Sequence, residues 1–218
     1  MALVVVIGAS RGIGLETVRS ALLAGHGVRA FARGAAGIAI EHPRLQKIAA
    51  DALDPEAIGK AIEGVDAVIQ SLGASERAQP WVIVAGTTVF SKATRILVDA
   101  MRKAQVRRLL AVTGLGAGDS RGHGGLLYDA LMFPLLLKRI YDDKDVQEQM
   151  IRASDLDWTI VRPGLLTSGP ATGAARALTD PKDWGAGSVS RADVAQFLVR
   201  EVFERRFVGQ TPLLIGPD

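Results

Sequence analysis

Glycines near the start of the chain have the spacing that could hold a phosphate group. Gly8, Gly12 and Gly14 follow an apolar run of five residues at positions 3–7. An apolar run bounded by glycine is typical of a strand that is buried on both faces of a parallel sheet. A glycine turn between such a strand and a helix lets backbone N–H groups approach a pyrophosphate at the positive end of the helix dipole. The pattern therefore predicts a dinucleotide site in a βαβ unit.

Two arginines near this turn indicate which dinucleotide is bound. NAD-specific sites carry an acidic residue at the end of the second strand, where it binds the ribose 2′-hydroxyl. Here that position is Arg33, and Arg11 lies in the glycine turn with Ser10 and Ile13. Two guanidinium groups suit a 2′-phosphate, which accepts bidentate hydrogen bonds. We therefore expect NADP(H) rather than NAD(H), the alternative being that both arginines are solvated loop residues.

The elements that position these residues alternate between strand and helix along the chain. After the first strand, we expect strands at Gly27–Ala32, Leu45–Ala49, Asp66–Gln70, Arg108–Val112, Trp158–Val161 and Thr211–Ile215, and helices at Leu15–Ala24, Pro55–Glu63, Ser91–Ala104, Asp142–Ala153 and Arg191–Phe203. This order predicts an α/β fold, a Rossmann-type doubly wound parallel sheet flanked by helices. The 218 residues fit a single domain, 1–218.

Four stretches are expected to lie outside these elements or to be irregular. Trp81–Val84 is a short strand or part of a lid, and Leu126–Ile140 is an apolar helical segment. The glycine-rich stretch 114–125 is expected to be a mobile loop beside the nicotinamide. Residues 165–184 are predicted to form a loop, and 165–218 a small C-terminal region on the substrate side.

Composition excludes several classes of function. The chain has no cysteine and its three histidines are dispersed, so we expect no metal site. The net charge is only +3 and the basic residues are scattered, which argues against nucleic-acid binding. The densest basic cluster, Arg102, Lys103, Arg107 and Arg108, is expected to lie in solvent at a helix end. The apolar runs Ala2–Ile7 and Leu126–Leu137 are both too short to span a bilayer. We therefore expect no membrane partner and a cytoplasmic location.

Two tracts resemble a known family. Gly8–Gly14 reads Gly-Ala-Ser-Arg-Gly-Ile-Gly, which resembles the cofactor loop of short-chain dehydrogenases/reductases. Lys144–Gly164 resembles the atypical branch of that family, the NAD(P)H-binding proteins similar to flavin reductase/biliverdin-IXβ reductase and to NmrA-like regulators. The resemblance covers nearly the whole chain, including Ser190–Ala195, a tract that docks the C-terminal helix in this branch.

The resemblance implies further cofactor contacts at the ends of the central strands. Asp51 resembles the family residue that meets the adenine ring, and Gly73 would let the backbone pass close to the adenine ribose. The expected cofactor-binding set is completed by Ala52, Leu72, Pro163, Thr113 and Lys144.

The resemblance also implies a catalytic set, from which this chain departs. The family pairs a hydroxyl residue with Tyr-x-x-x-Lys, in which the tyrosine donates a proton to a carbonyl group. Thr113 and Lys144 occupy the hydroxyl and lysine positions, but Ile140 occupies the tyrosine position. Tyr141 is either an alternative donor or a surface residue at a helix start. Thr113 is either catalytic or bonded only to its own strand end.

The function predicted from these residues is NADP(H)-dependent oxidation or reduction. Hydride transfer to a small conjugated acceptor, such as a flavin or a quinone, needs little proton donation and fits the isoleucine at position 140. One alternative is a carbonyl reductase that uses Thr113 and Tyr141. Another is a non-catalytic NADP(H)-sensing regulator of the NmrA type, with Leu126–Leu137 as a docking surface. We expect a small-molecule substrate and favour a monomer over a weak homo-oligomer.

Overall fold

The computed structural model describes residues 1–73, 87–125 and 137–217. In chain order the elements are β1 (Leu3–Ile7), α1 (Gly12–Leu23), β2 (Gly27–Phe31), β3 (Leu45–Ile48), α2 (Pro55–Ile62), β4 (Ala67–Gln70), α3 (Val89–Lys103), β5 (Arg108–Val112), α4 (Lys138–Arg152), β6 (Asp157–Pro163), β7 (Leu165–Thr167), β8 (Arg176–Leu178), β9 (Ser188–Ser190), α5 (Arg191–Glu204) and β10 (Leu213–Ile215). The stretch Trp81–Val84 and positions 126–136 of the apolar segment lie outside the described residues.

The strands form a large sheet in the order β3-β2-β1-β4-β5-β6-β10-β8. The neighbours from β3 to β10 run parallel, and β8 is antiparallel to β10 at one edge. A separate parallel pair joins β7 to β9. The predicted fold class, a doubly wound parallel sheet flanked by helices, is confirmed.

Helices cover both faces of this sheet, and the first strand shows how. Val4 and Val6 pack with α1 and α5 on one face. Val5 and Ile7 pack with α2, α3 and the buried Ile151 of α4 on the other face. Because alternate side chains of a strand point to opposite faces, burial on both sides requires the uninterrupted apolar run seen in the sequence.

The structure differs from the expected elements chiefly at the start of α4, in the short strands between residues 165 and 190, and in the glycine-rich stretch 114–125. Helix α4 begins at Lys138, so Tyr141 lies inside it. Residues 165–184 contain β7 and β8, whose partners β9 and β10 are distant in sequence. The mobile loop expected at 114–125 is wrong for Gly114–Ala117, which are buried. The Leu115 N–H donates to the Pro163 carbonyl oxygen over 3.0 Å, which ties this segment to β6.

The basic cluster near residue 108 is also not wholly solvated. Arg108 is 3% exposed, and its guanidinium donates to Glu201 Oε1 over 2.9 Å and to the Asp157 carbonyl oxygen over 2.8 Å. Burial lowers the pKa of Arg108, against the attraction of Glu201. This ion pair links β5 to α5, so the guanidinium is a structural group rather than part of a charged surface.

Glu201→Gln is expected to destabilise the protein by about 3–5 kcal/mol, because it leaves a buried guanidinium without its counter-charge. Chemical denaturation measures the free energy of unfolding. The matched control is Glu56→Gln, which breaks the exposed Glu56–Lys60 pair and should cost at most about 1 kcal/mol. Equal losses in the two variants would contradict the structural role of the buried pair.

Candidate functional site

The glycine turn after β1 is shaped by two close backbone approaches. A Cβ atom on Gly8 would overlap the carbonyl oxygen of Ser71, which follows β4. A Cβ atom on Gly14 would overlap the carbonyl oxygen of Gly8, so α1 lies directly against the turn. Gly8 also has a φ of 90°, which favours glycine. Since β1 and β4 are neighbours where the strand order reverses, the turn lies at the crevice where such sheets bind ligands.

The N-terminus of α1 is open to an anion. Within the described chain, no side chain caps this helix, whose N-cap residue is Arg11, and its first turn contains no acidic residue. The backbone N–H groups of the first turn therefore face outward together with the positive end of the helix dipole. Gly12, at the first position, is exposed. These features fit the pyrophosphate of a dinucleotide.

Two exposed arginines lie at the rim of the turn. A Cβ atom on Gly34 would lie 3.5 Å from the Ser10 Cβ, so the segment that follows Arg33 contacts the glycine turn. Arg11 and Arg33 are both exposed. Neither forms a salt bridge with any carboxylate in the described parts of the chain. Two uncompensated guanidinium groups at this edge fit a phosphate on the adenosine ribose.

The residues expected on the adenine side follow the ends of neighbouring strands. Asp51 follows β3 and accepts a hydrogen bond from the Leu53 N–H over 3.0 Å. The half-buried side chains of Ala52 and Leu72 pack on the core beneath α2 and α3. Gly73 is exposed beyond the end of β4. All four predicted residues therefore lie at the same edge of the sheet as the glycine turn.

At the end of β5, Thr113 is held by contacts from α4. Its backbone carbonyl oxygen accepts a hydrogen bond from Lys144 Nζ over 2.5 Å. Its hydroxyl group donates to Glu148 Oε1 over 2.7 Å. While that hydrogen bond is in place, the Thr113 hydroxyl oxygen can accept a hydrogen bond from a ligand but cannot donate one. The expectation that Thr113 bonds only to its own strand end is therefore wrong.

Glu148 is fixed in turn by Arg162 of β6. Arg162 Nε donates to Glu148 Oε1 over 3.0 Å and Nη2 donates to Oε2 over 2.5 Å, a bidentate pair. Arg162 Nη1 lies 2.6 Å from Asp119 Oδ1 in a second ion pair. No role for Glu148 or Arg162 was predicted from the sequence. The Lys-x-x-x-Glu spacing was a usable signal, because residues four apart share one face of a helix.

Lys144 is an unusual cation because it is buried. Its side chain is only 8% exposed, and burial lowers its pKa from 10.5 to about 8, partly offset by the charge of Glu148. The ammonium group lies 5.1 Å from the centre of the Phe90 ring and 5.6 Å from that of Tyr141. Burial thus shifts the amine toward its neutral form, while a carbonyl oxygen orients it toward the end of β5.

Tyr141 reaches the same strand end although it is not at the family's tyrosine position. A Cβ atom on Gly114 would lie 2.5 Å from the Tyr141 hydroxyl oxygen, so this hydroxyl contacts the backbone just after Thr113. Tyr141 lies in the first turn of α4, as the alternative of a tyrosine at a helix start expected, but its side chain is half-buried. Ile140 is 7% exposed. The structure therefore brings Thr113, Tyr141 and Lys144 together.

The described residues contain neither a metal-binding cluster nor a helix that could cross a membrane. No group of three or more His, Cys, Asp or Glu residues among them could hold a metal ion. None of the helices they form is both long enough and apolar enough to cross a membrane.

Comparison with known proteins places the chain in a family. A family model described as NAD(P)H-binding matches residues 8–205. A Bacillus subtilis protein named uncharacterized sugar epimerase YhfK is 29% identical over 158 residues, which make up 69% of this chain and 63% of that protein. The match therefore spans less than two thirds of that relative. An uncharacterized chloroplastic protein of Arabidopsis thaliana is 30% identical over 210 residues, covering 92% of this chain and 72% of that protein.

The structure of ChuY, described as an anaerobilin reductase from Escherichia coli, is also similar. It is 27% identical with a TM-score of 0.80, and the match covers 99% of this chain and 98% of that chain. The family match includes the glycine turn, β5, α4 and all of α5. The resemblance to atypical short-chain dehydrogenases/reductases is thus confirmed, and the chain belongs to the NAD(P)H-binding family.

Proposed function

We propose that the chain is an NADP(H)-dependent oxidoreductase that transfers hydride to a small conjugated acceptor, such as a flavin or a quinone. The similarity to a protein described as a reductase supports this class of reaction. The observation that carries the choice of acceptor is the Thr113–Glu148 hydrogen bond, which occupies the only proton of the hydroxyl at the end of β5. With isoleucine at position 140 as well, an acceptor that takes its proton from solvent fits best.

In this proposal the chain binds and orients the reactants. The first turn of α1 binds the pyrophosphate, and Arg11 and Arg33 bind the 2′-phosphate. Lys144, held by the Thr113 carbonyl oxygen, would hydrogen-bond the nicotinamide ribose, and the buried Pro163 would line the nicotinamide side. When bound, NADPH supplies the hydride. Correct placement of donor and acceptor then accounts for most of the rate, since little proton transfer is required.

A carbonyl reductase is the second candidate, and the position of Tyr141 favours it. Its hydroxyl contacts Gly114, and its ring lies beside the Lys144 ammonium. A phenol hydroxyl at this strand end could donate a proton to a carbonyl oxygen of a bound substrate. In that reaction Thr113 would accept a hydrogen bond, and Tyr141 would be the donor.

Replacing both Arg11 and Arg33 by alanine is expected to weaken NADPH binding by about ten- to a hundred-fold, because charge-assisted hydrogen bonds to the 2′-phosphate are lost. NADH binding should be unchanged. Isothermal titration with both nucleotides measures the effect. Arg19→Ala is the matched control, since Arg19 is an exposed arginine on α1 that pairs with Glu16. A wild type that binds NADH as tightly as NADPH would contradict the proposed preference.

Tyr141→Phe distinguishes the two candidate reactions. If a flavin or a quinone is the acceptor, NADPH-dependent turnover should change less than about two-fold, because no proton from Tyr141 is needed. Initial rates with FMN, riboflavin, quinones and aldehydes measure the effect, with Tyr128→Phe as the control for the chain's other tyrosine. A fall of about a hundred-fold or more would support carbonyl reduction instead.

Lys144 should make stability depend on pH in a specific window. The folded chain releases the lysine proton near pH 8, whereas the unfolded chain holds it up to about 10.5, so the unfolded state binds more protons in between. The free energy of unfolding of the wild type, relative to Lys144→Met, should therefore rise from pH 8 to 10.5 and be level below pH 8. Denaturation curves at each pH measure this difference. A difference that is level across the window would show that the buried amine is not shifted.

A further inference from the structure

Ser190–Ala195 begins α5, and sequence analysis assigned this tract to helix docking. The Asp193 N–H donates to Ser190 Oγ over 2.9 Å, and Ser190 Oγ donates to Asp193 Oδ2 over 2.7 Å. Asp193 Oδ1 also accepts hydrogen bonds from the N–H groups of Thr172 and Gly173. Ser190 and Asp193 therefore cap and dock the helix between them, and Arg191 is not needed for that role.

The Arg191 side chain lies at the glycine turn instead. A Cβ atom on Gly12 would lie 3.9 Å from Arg191 Nε, so the guanidinium borders the first residue of α1. Helices α1 and α5 share one core, in which Val18 and Leu22 lie with Val194 and Leu198. Because the two helices are packed together, the start of α5 has a fixed place beside the start of α1.

The charge of Arg191 is not balanced at this place. Its guanidinium donates to Ser168 Oγ over 3.4 Å, and no carboxylate in residues 1–73, 87–125 or 137–217 forms a salt bridge with it. The residue is half-buried. A half-buried cation beside the positive end of a helix is electrostatically unfavourable by itself and favourable once an anion lies between them.

We propose that Arg191 binds the cofactor's pyrophosphate from the α5 side of the glycine turn. This inference rests on the cofactor placement proposed above. Arg191 is near Gly12, whereas the Arg33 segment contacts the turn at Ser10. Arg191 and the Arg33 segment would thus contact different parts of the nucleotide. Arg191 contributes affinity for any dinucleotide, and the Arg11–Arg33 pair contributes the preference for a 2′-phosphate.

The test is Arg191→Gln, titrated with NADPH, NADH and adenosine 2′-monophosphate. The affinities for NADPH and NADH should both fall by about ten- to a hundred-fold and by the same factor, because the pyrophosphate is common to both nucleotides. Adenosine 2′-monophosphate has no pyrophosphate, so its affinity should be unchanged. Arg191→Lys keeps the charge and should retain more affinity for both dinucleotides than Arg191→Gln. Arg200→Gln is the control, an exposed arginine on the same helix.

The outcomes separate this inference from the function on which it rests. Unchanged binding of both dinucleotides by Arg191→Gln would overturn the role of Arg191 and leave the proposed function in place. Weaker binding of NADPH alone would also overturn the role proposed for Arg191, since Arg191 would then bind the 2′-phosphate. A lysine variant that binds both dinucleotides as weakly as the glutamine variant would overturn the role proposed for the positive charge of Arg191. A wild type that binds no dinucleotide would overturn both proposals.

Discussion

The close approach of Gly8 to the carbonyl oxygen of Ser71 determines the position of the rest of the site. It brings the segments after β1 and β4 into contact at the place where the strand order reverses. Any side chain at Gly8 would separate them. Because α1 also packs directly on the turn through Gly14, the direction of the helix axis follows from the same contact. The anion-binding end of α1 is thereby aimed at the crevice between the strands.

A second constraint is electrostatic and fixes the side chains at the end of β5. Arg162 is fully buried and contacts two carboxylates, Glu148 and Asp119. Burial alone would raise the pKa of Asp119, but the hydrogen bond and charge of Arg162 outweigh it and lower that pKa. Buried ions of this kind persist only where each has a bonded partner. The network therefore fixes Glu148, and Glu148 fixes the proton of the Thr113 hydroxyl.

The sequence predicts much of the fold because its strongest signals are local. The apolar run of β1, the glycine turn and the amphipathic helices are all readable within short windows, and the structure has them close to their expected bounds. The short strands β7, β8 and β9 were missed, since each pairs with a strand that is remote in the chain. Boundaries moved where packing overrides local preference, as at the start of α4.

The site was predicted less completely for the same physical reason. The proposed cofactor contacts were expected at strand ends, and the structure has Asp51, Leu72 and Thr113 just after the ends of β3, β4 and β5. The contacts of Arg162 and Arg191 could not be predicted, because each joins elements that only the tertiary structure brings together. A charged residue in a buried strand is a sequence signal for such a partner, and Arg162 in β6 is an example.

The most direct test of the account is a crystal structure of the protein with NADP bound. The account predicts the pyrophosphate on the backbone N–H groups of the first turn of α1, and the 2′-phosphate between Arg11 and Arg33. It also predicts the nicotinamide ribose within hydrogen-bond distance of Lys144 Nζ. A nucleotide bound away from the glycine turn, or with its phosphates beyond reach of that turn, would contradict the account.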